Sequence, residues 1–386
     1  MSKTYGNFTD FVDFSRSSSA TYLGSDGLIK TAANNIPRVE YDANGVVKGL
    51  LIEEARTNLI AGSDGYTGWN NGGSLSSTTS MIFLNGNYAA EYEVDSGATV
   101  YYAASVTAST TYTFSWFFKE GTATTRVYAF YDQTNGAFVG LKTEYGPEDA
   151  EYYGDGWYRM SATVTTPVGC TTLRVYPLRG QGESGSPAGV LGTTYISAAQ
   201  LEKGSFPTSY IPTAGATATR AADIASIATA NFGYNKGAGT VVVNFDNLKF
   251  GAGGSGFPRP VELGSSAHAG ERINFYVAES SGNFAFGINT ANAAQAGGTL
   301  VASTTSPVGP YKAGIAYKKD NVAAVETGGD VLTDTSADIS GVVYSRDTLK
   351  IGGSTIATTH QVNGHIKSIK YLPRRLTNTQ LQEQTA

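Results

Sequence analysis

Apolar side chains fall at alternate positions in short runs along this chain, and polar turn residues break the runs. That period of two is the signature of half-buried strands. "TYTFSWFFK", "TRVYAFYD", "GWYRMSATVTT", "TTLRVYPL" and "TTYISAAQLE" carry it between Gly62 and Pro212, each bounded by glycine, proline or asparagine. The pattern returns after the connector "PTSYIPTAGATATRAAD" in "GTVVVNFDNLKF", "RINFYVAE", "FAFGINT", "YKAGIAYKKD", "NVAAVETGG", "TLKIGGS" and "NGHIKSIKYLP". Strands at this spacing predict sandwiches or a jelly roll. The first sixty residues hold smaller units. Asn44-Gly45 and Asp26-Gly27 each sit between β-rich runs and predict tight hairpin turns, because Asn-Gly and Asp-Gly readily take positive φ. Such hairpins are too small to bury a core, so this segment needs a neighbour to pack on. At the other end, Thr377 stands three residues before Gln380, the spacing of a capping box, and predicts one short terminal helix. The expected fold is therefore all-β. Residues 1–61 form an N-terminal segment, 62–212 a first sandwich and 213–386 a second.

Composition sharpens this. Only 15% of the 386 residues are charged, while glycine (47) and tyrosine (24) are abundant, and the Leu/Glu/Lys-rich stretches of helical proteins are missing. A net charge of -5, with no basic cluster beyond Arg374-Arg375, leaves no footprint for gripping phosphates and argues against nucleic-acid binding. The single cysteine, Cys170, cannot form a disulfide within one chain, which fits synthesis in a reducing cytoplasm. The opening "MSKTYGNFTD" lacks the basic-then-apolar pattern of a signal peptide, and no run approaches the ~18 apolar residues of a membrane span.

Motifs for chemistry mostly fail on context. "GAGGSG" (251–256) satisfies G-x-G-x-x-G, but "FPRPVE" follows, and two prolines forbid the helix that a dinucleotide site needs. His268, His360 and His365 match no zinc spacing. Asp330, Asp334 and Asp338 could offer oxygens to calcium, yet the calcium-loop spacing is absent and solvated turn acids are the better reading. No other cofactor is expected. Glu144, Glu148, Asp149, Glu151 and Asp155 supply carboxyls, but a glycosidase needs two of them about 5–10 Å apart, and no catalytic motif is recognisable. Aromatic side chains are the richest signal. Trp69, Tyr101, Tyr102, Tyr131, Tyr145, Tyr152 and Tyr153 lie in turn-rich stretches and are candidates for stacking on sugar rings or on a partner surface, with ordinary packing as the alternative for each. In "GLLIEEARTNLI" (49–60), two glutamates and an arginine interrupt an apolar run. Arg56 is expected to pair with Glu53 or Glu54 as an assembly ion pair, and a buried pair there would fix register more than it adds net stability.

The pieces "FSRSSSATYL", "DGLIKTA", "IPRVEYD" and "GLLIEEARTNL" resemble, in order, a segment that recurs in bacteriophage and prophage virion proteins of tail-fibre type. "GDGWYRMSATVT" and "AQLEKGSFPTSYIPT" look like the closing strands of carbohydrate-binding-module-like jelly rolls. "TRAADIASI", "GTVVVNF" and "GHIKSIKYLPRRLTNTQLQ" look like the start and end of a concanavalin A-like, laminin-G-type sandwich. The resemblance implies a virion structural or adhesion role and fixes neither ligand nor position on the particle; the leading expectation is a non-enzymatic protein that binds host-surface polysaccharide through its β-sandwich domains and contacts other virion proteins. The resemblance also implies a homo-oligomer, with a trimer expected by analogy with fibres; the lack of a long apolar run sets the expectation of no membrane insertion. A capsid decoration or head-fibre protein is the second reading and a polysaccharide depolymerase the third, the latter weakened by the lack of a long β-helical repeat.

Overall fold

The computed structural model describes residues 11–64, 66, 68–70, 75–94, 99–123, 126–140, 143–179, 192–249, 257–268, 270–278, 283–301, 311–339, 345–355 and 360–386. The strands pair antiparallel, and among the described residues one α-helix is present, Asn378–Thr385. This is the all-β class that the alternation predicts. The glycine-rich run 251–256 lies outside the described residues.

Two seven-stranded sheets make one sandwich. In the first, the order is Asp13–Ser15, Ile224–Ala228, Thr348–Ile351, Val261–Gly264, Arg272–Ala278, Asn283–Thr290 and Ala293–Val301. In the second it is Leu332–Asp334, Val322–Glu326, Tyr311–Lys318, Ala238–Lys249, Asn363–Leu372, Val47–Ile52 and Arg38–Tyr41. Inward side chains such as Val243, Phe245, Phe275, Phe286, Ile315 and Ile52 fill the space between them. The N-terminal segment therefore ends both sheets on the same flank. Its hairpins form as the sequence predicts: Gly45 has φ 76° in the Asp42–Val46 turn, and Gly27 has φ 75° between Ala20–Leu23 and Ile29–Ala32.

A second sandwich lies between these strands in sequence. Its six-stranded sheet runs Glu151–Gly154, Trp157–Thr165, Thr111–Glu120, Gly192–Lys203, Tyr88–Val94 and Leu75–Ile82. The facing five-stranded sheet runs Ala137–Phe138, Arg126–Asp132, Thr172–Arg179 and Thr99–Ser105, with Thr143–Tyr145 also paired to Arg126–Asp132. Phe114, Trp116, Phe118, Leu173 and Val175 are among its core residues. The chain enters and leaves through a two-stranded neck, Arg56–Asn58 paired with Ala218–Arg220. Asn58 ties the neck to the sandwich: its amide donates to the carbonyls of Ala199 (3.2 Å) and Ile211 (3.0 Å). The expected boundary at residue 61 thus divides strands that share a sheet. Leu50, Leu51 and Ile52 pair with Ile366, His365 and Gly364, more than three hundred residues away in sequence.

This insertion explains the three charges in "GLLIEEARTNLI". Gly49 to Ile52 ends the sandwich strand, Arg56 opens the neck, and the glutamates lie at the joint. Glu53 pairs with Arg38 (2.8 Å) and with Arg220; Asp223 pairs with Arg38 (2.5 Å) and Arg16 (3.0 Å). Arg16, Arg38, Arg220, Asp223 and Glu53 are all buried. Arg56 pairs with Glu54, its Nε donating at 2.7 Å, one of the two partners the sequence allowed.

The strand Thr111–Glu120 is buried on both faces, where alternation alone predicts one exposed face. Tyr112, Phe114, Trp116 and Phe118 point into the inserted core. Phe117 points outward and packs with Phe83, Leu84, Trp157 and Tyr210. Ile29 of an N-terminal hairpin joins that layer, and its amide donates to the Leu84 carbonyl (2.9 Å). The terminal helix Asn378–Thr385 has the expected capping box: Thr377 Oγ1 accepts from the Gln380 amide (3.2 Å) while Gln380 Oε1 accepts from the Thr377 amide (3.1 Å). Leu381 docks it on Val242, Ala316 and Val325.

Candidate functional site

On the five-stranded sheet, strand alternation sends Val100, Phe130, Leu173 and Val175 into the core and their neighbours Tyr101, Tyr131 and Arg174 to the outer face. There the side chains close a circuit. The Arg174 guanidinium lies over the rings of Tyr101 (4.4 Å) and Tyr131 (5.3 Å). Tyr131 meets Phe138 edge-on at 5.0 Å, and Tyr101 meets Tyr176 at 5.1 Å. Arg179 completes the circuit over Phe138 (4.5 Å) and Tyr176 (4.9 Å). Each guanidinium-ring contact contributes about 0.5–2 kcal/mol, so the layer is preorganised. Gln133 accepts from Arg174 Nε (3.0 Å) and holds that plane in place. Phe138 is 40% exposed, Tyr101, Tyr131 and Arg174 are half-buried, and Tyr176 is buried beneath them. The surface offers aromatic rings interleaved with guanidiniums that lie over their faces, Phe138 being the most exposed ring, Arg174 half-buried and Arg179 buried. That combination suits a ring-shaped ligand with an apolar face and polar rim.

The other sandwich has a recess of about 550 Å3 on the outer side of its first sheet. Phe257 and Tyr276 meet there at 5.6 Å, with Asn274, Asn289 and Gln295 nearby. Arg259 at its wall is held by buried Glu262, which also accepts from the Thr355 amide (2.7 Å) and hydroxyl (2.8 Å). His360 stands beside Phe257; burial, reinforced by Arg259, pushes its pKa down to about 4.

Of the aromatic candidates, Tyr101 and Tyr131 belong to the outer layer. Trp69 and Tyr145 are buried and Tyr102 faces the same core. Trp69 packs on Tyr66 and Tyr102 and donates to the Gly62 carbonyl (2.9 Å). Tyr102 accepts from the Ala61 amide (3.2 Å), and the Tyr145 hydroxyl donates to the Pro177 carbonyl (2.9 Å) while accepting from Trp116 Nε1 (3.2 Å). Their polar atoms are thus satisfied inside the protein, as buried hydroxyl and indole groups require. Tyr152 is exposed and leans on Tyr158, and Tyr153 packs edge-on against Phe117 near the joint between the sandwiches. Arg174, Arg179, Phe138 and Tyr176 were not candidates. The alternation of "TLRVYPLR" marks Arg174 as outward, but nothing in the sequence says which neighbouring strand brings rings beside it.

The five acids from Glu144 to Asp155 are all exposed. Asp155 pairs with Lys119 (3.3 Å), and Glu151 with Lys48 (3.7 Å). His365 pairs with Glu40 (2.7 Å). Asp338 pairs with Lys319 (3.8 Å), Asp334 accepts from the Ser336 amide (2.8 Å), and Asp330 is exposed. Among the described residues, no three His, Cys, Asp or Glu side chains converge to hold a metal ion, and no helix is long and apolar enough to cross a membrane.

No protein-family model matches the chain, and no curated protein matches it. Solved structures show weak likeness. The enzymatically active domain of bacteriophage CBA120 tailspike protein 4 covers 38% of this chain with 13% identity and a TM-score of 0.25; this chain spans 21% of that one's length. Mouse laminin α1 domains LG4-5 cover 74% of this chain and 94% of their own, with 12% identity and a TM-score of 0.26. The N-terminal tandem CBM22 domains of Paenibacillus barcinonensis Xyn10C cover 83% and 99%, with 9% identity and a TM-score of 0.27. Likeness at this level establishes neither a family nor a ligand.

Proposed function

We propose that this chain is a phage virion protein that attaches to host-surface glycan, with the Tyr101–Arg174–Tyr131 layer of the inserted sandwich as its contact face. The observation that supports this most is the closed circuit of four rings and two guanidiniums. A pyranose ring presents axial C–H groups to an aromatic surface and equatorial hydroxyls to hydrogen-bond donors, and this layer sets the exposed Phe138 and half-buried Tyr101 and Tyr131 beside the half-buried Arg174 guanidinium. A single shallow face of this kind binds weakly. Copies on one particle convert later contacts into local ones and raise the avidity, which is why the reading includes a homo-oligomer, a trimer by analogy with fibres, carried on the virion beside other virion proteins. The reading has no bond-breaking step. Arrays of host capsule and lipopolysaccharide fragments probed with the oligomeric protein test it: saturable binding to a subset is expected, and silence across all of them would remove glycan adhesion.

The second reading is a capsid decoration or head-fibre protein whose surface serves contacts between virion subunits. It is favoured by the N-terminal segment, where Leu28 (48% exposed), Ile36 (50%), Val46 (60%) and Val47 (54%) present apolar side chains to solvent. Antibody labelling of intact particles separates the two readings, head labelling favouring decoration and tail labelling adhesion. New reducing or unsaturated ends in polysaccharide incubated with the protein would instead establish a depolymerase.

A further inference from the structure

Where the inserted sandwich meets the other one, a cleft of about 80 Å3 lies between them. Its walls come from distant parts of the chain: Lys48 and Lys249 with His365 on one side, Glu151, Tyr153 and Arg159 on the other. Buried charges in proteins are normally paired, and here the pairing is incomplete. Arg159 is 8% exposed and donates through Nη2 to Ser115 Oγ (3.0 Å) and the Thr208 carbonyl (2.7 Å), while its Nε has no partner. Neither Arg159 nor Lys249 forms an ion pair among the described residues. His365 is 3% exposed; its Nε2 lies 2.7 Å from Glu40, and its Nδ1 has no partner.

The fixed charges give the sign of what is missing. At the cleft lining, Lys48, Lys249 and Arg159 face the carboxylates of Glu40 and Glu151. Burial disfavours the charged form of Arg159, but Tyr153 in the wall and buried Glu202 behind it favour that form, so the cation left short of a partner is Lys249. Lys48 is shared between those two carboxylates at 3.9 and 3.7 Å. Glu53, also at the cleft wall, is already taken by Arg38 and Arg220. Burial lowers the pKa of Lys249, with Glu151 opposing and Arg159 and Lys48 adding to it, which is the mark of a cation short of a counter-ion.

We infer that this junction cleft binds one small oxyanion group, a carboxylate, sulfate or phosphate, held by Arg159, Lys249 and His365. The cleft has room for two or three water-sized groups at ~30 Å3 each, enough for one such group and too little for a sugar ring. The oxyanion is either a free ion or the acidic substituent of a larger ligand reaching in from solvent. Because its ligands sit on both sandwiches, occupancy also fastens the insertion to its host. The inference stands on charge and geometry at the joint and does not depend on the glycan-binding layer.

Titration calorimetry of the full chain with inorganic phosphate, at constant ionic strength in chloride, tests it. Saturable binding at one site per chain is expected, and Lys249→Gln should weaken it by about tenfold or more, as loss of a charge-assisted contact does. Arg159→Lys serves as a second variant that keeps the charge but loses the fork. In parallel, the ring nitrogens of His365 should shift with phosphate in nitrogen-15 spectra. A uronate-bearing oligosaccharide that displaces phosphate identifies the substituent of a larger ligand, and phosphate binding without such competition identifies a free ion. Absence of saturable phosphate binding to the wild-type protein, or equal binding by folded Lys249→Gln, overturns the site.

Discussion

The Arg38 guanidinium lies 2.5 Å from the Asp223 carboxylate, across 185 residues of sequence, with both side chains fully excluded from solvent. Arg38 stands on the last strand of a sheet, and Asp223 lies just beyond the neck through which the inserted sandwich rejoins its host. The bond therefore joins the strands that precede the insertion to the chain that follows it. Around it, three arginines share two carboxylates, and Gln361 donates to the Glu53 carbonyl (3.0 Å) from the far C-terminal side.

Breaking that arrangement leaves a buried charge uncompensated. Asp223→Ala is expected to cost about 3–5 kcal/mol, the usual penalty for removing one partner of a buried pair. Arg56→Ala, whose partner Glu54 is partly exposed, should cost less. Urea unfolding of the two variants measures both, and an Asp223→Ala protein within about 1 kcal/mol of wild type would show that the cluster is solvated in solution.

The same cluster sets a response to acid. Burial opposes ionisation of Glu53, but Arg220 and Arg38, with hydrogen bonds from Ser209, outweigh it and hold the carboxyl far below its ordinary 4.5. A carboxyl depressed by folding lends stability that is complete above the unfolded pKa and is lost as pH falls through the folded one. The stability difference between wild type and Glu53→Gln should therefore be constant above about pH 5 and shrink as pH falls below ~4.5. Denaturation midpoints across pH 3–7 read this directly, and a difference that grows on acidification would contradict it.

Gly49 has φ +131°, and a Cβ there would stand 2.7 Å from the Ile366 carbonyl oxygen. It lies at the register shift between Val47–Ile52 and Arg38–Tyr41, where the strand bends to bring Leu50 and Ile52 inward. Gly49→Ala should destabilise by more than about 1 kcal/mol, since both conformation and space oppose a side chain. Gly27→Ala, with open space around the missing Cβ, shares the strained φ without the clash and should cost less. Comparison of their melting temperatures separates clash from backbone strain.

Tyr131→Ala and Arg174→Ala each open the outer layer without touching the core, so both should lower glycan affinity by about tenfold or more, the loss of one stacking or charge-assisted contact, with a loss of stability no larger than the guanidinium-ring contacts removed, about 0.5–2 kcal/mol each. Trp69→Phe removes a buried hydrogen bond to Gly62 and should do the reverse, lowering stability while sparing binding at the layer. Surface plasmon resonance beside thermal melts would expose the error if Trp69→Phe proved the stronger binding defect.

The pattern of residues carried the local structure. Period-two alternation, Asn44-Gly45, Asp26-Gly27 and the Thr377–Gln380 spacing each depend on neighbours a few positions apart, and the corresponding strands, turns and capped helix are present. Pairing between distant segments carries no such signature. Val47–Ile52 is an apolar strand in any sheet, and only the folded chain seats it beside Asn363–Leu372 and makes the second sandwich an insertion. Burial is decided the same way. Phe117 is outward by alternation and buried because an N-terminal hairpin lies over it. Trp69 and Tyr145 look like surface rings and are core, because neighbouring carbonyls accept their hydrogens. The sequence by itself determined the elements, since propensity and turn chemistry act over a few residues. Tertiary structure alone decided which faces meet and which charges share a buried joint, since those contacts are made only when segments hundreds of residues apart exclude water together.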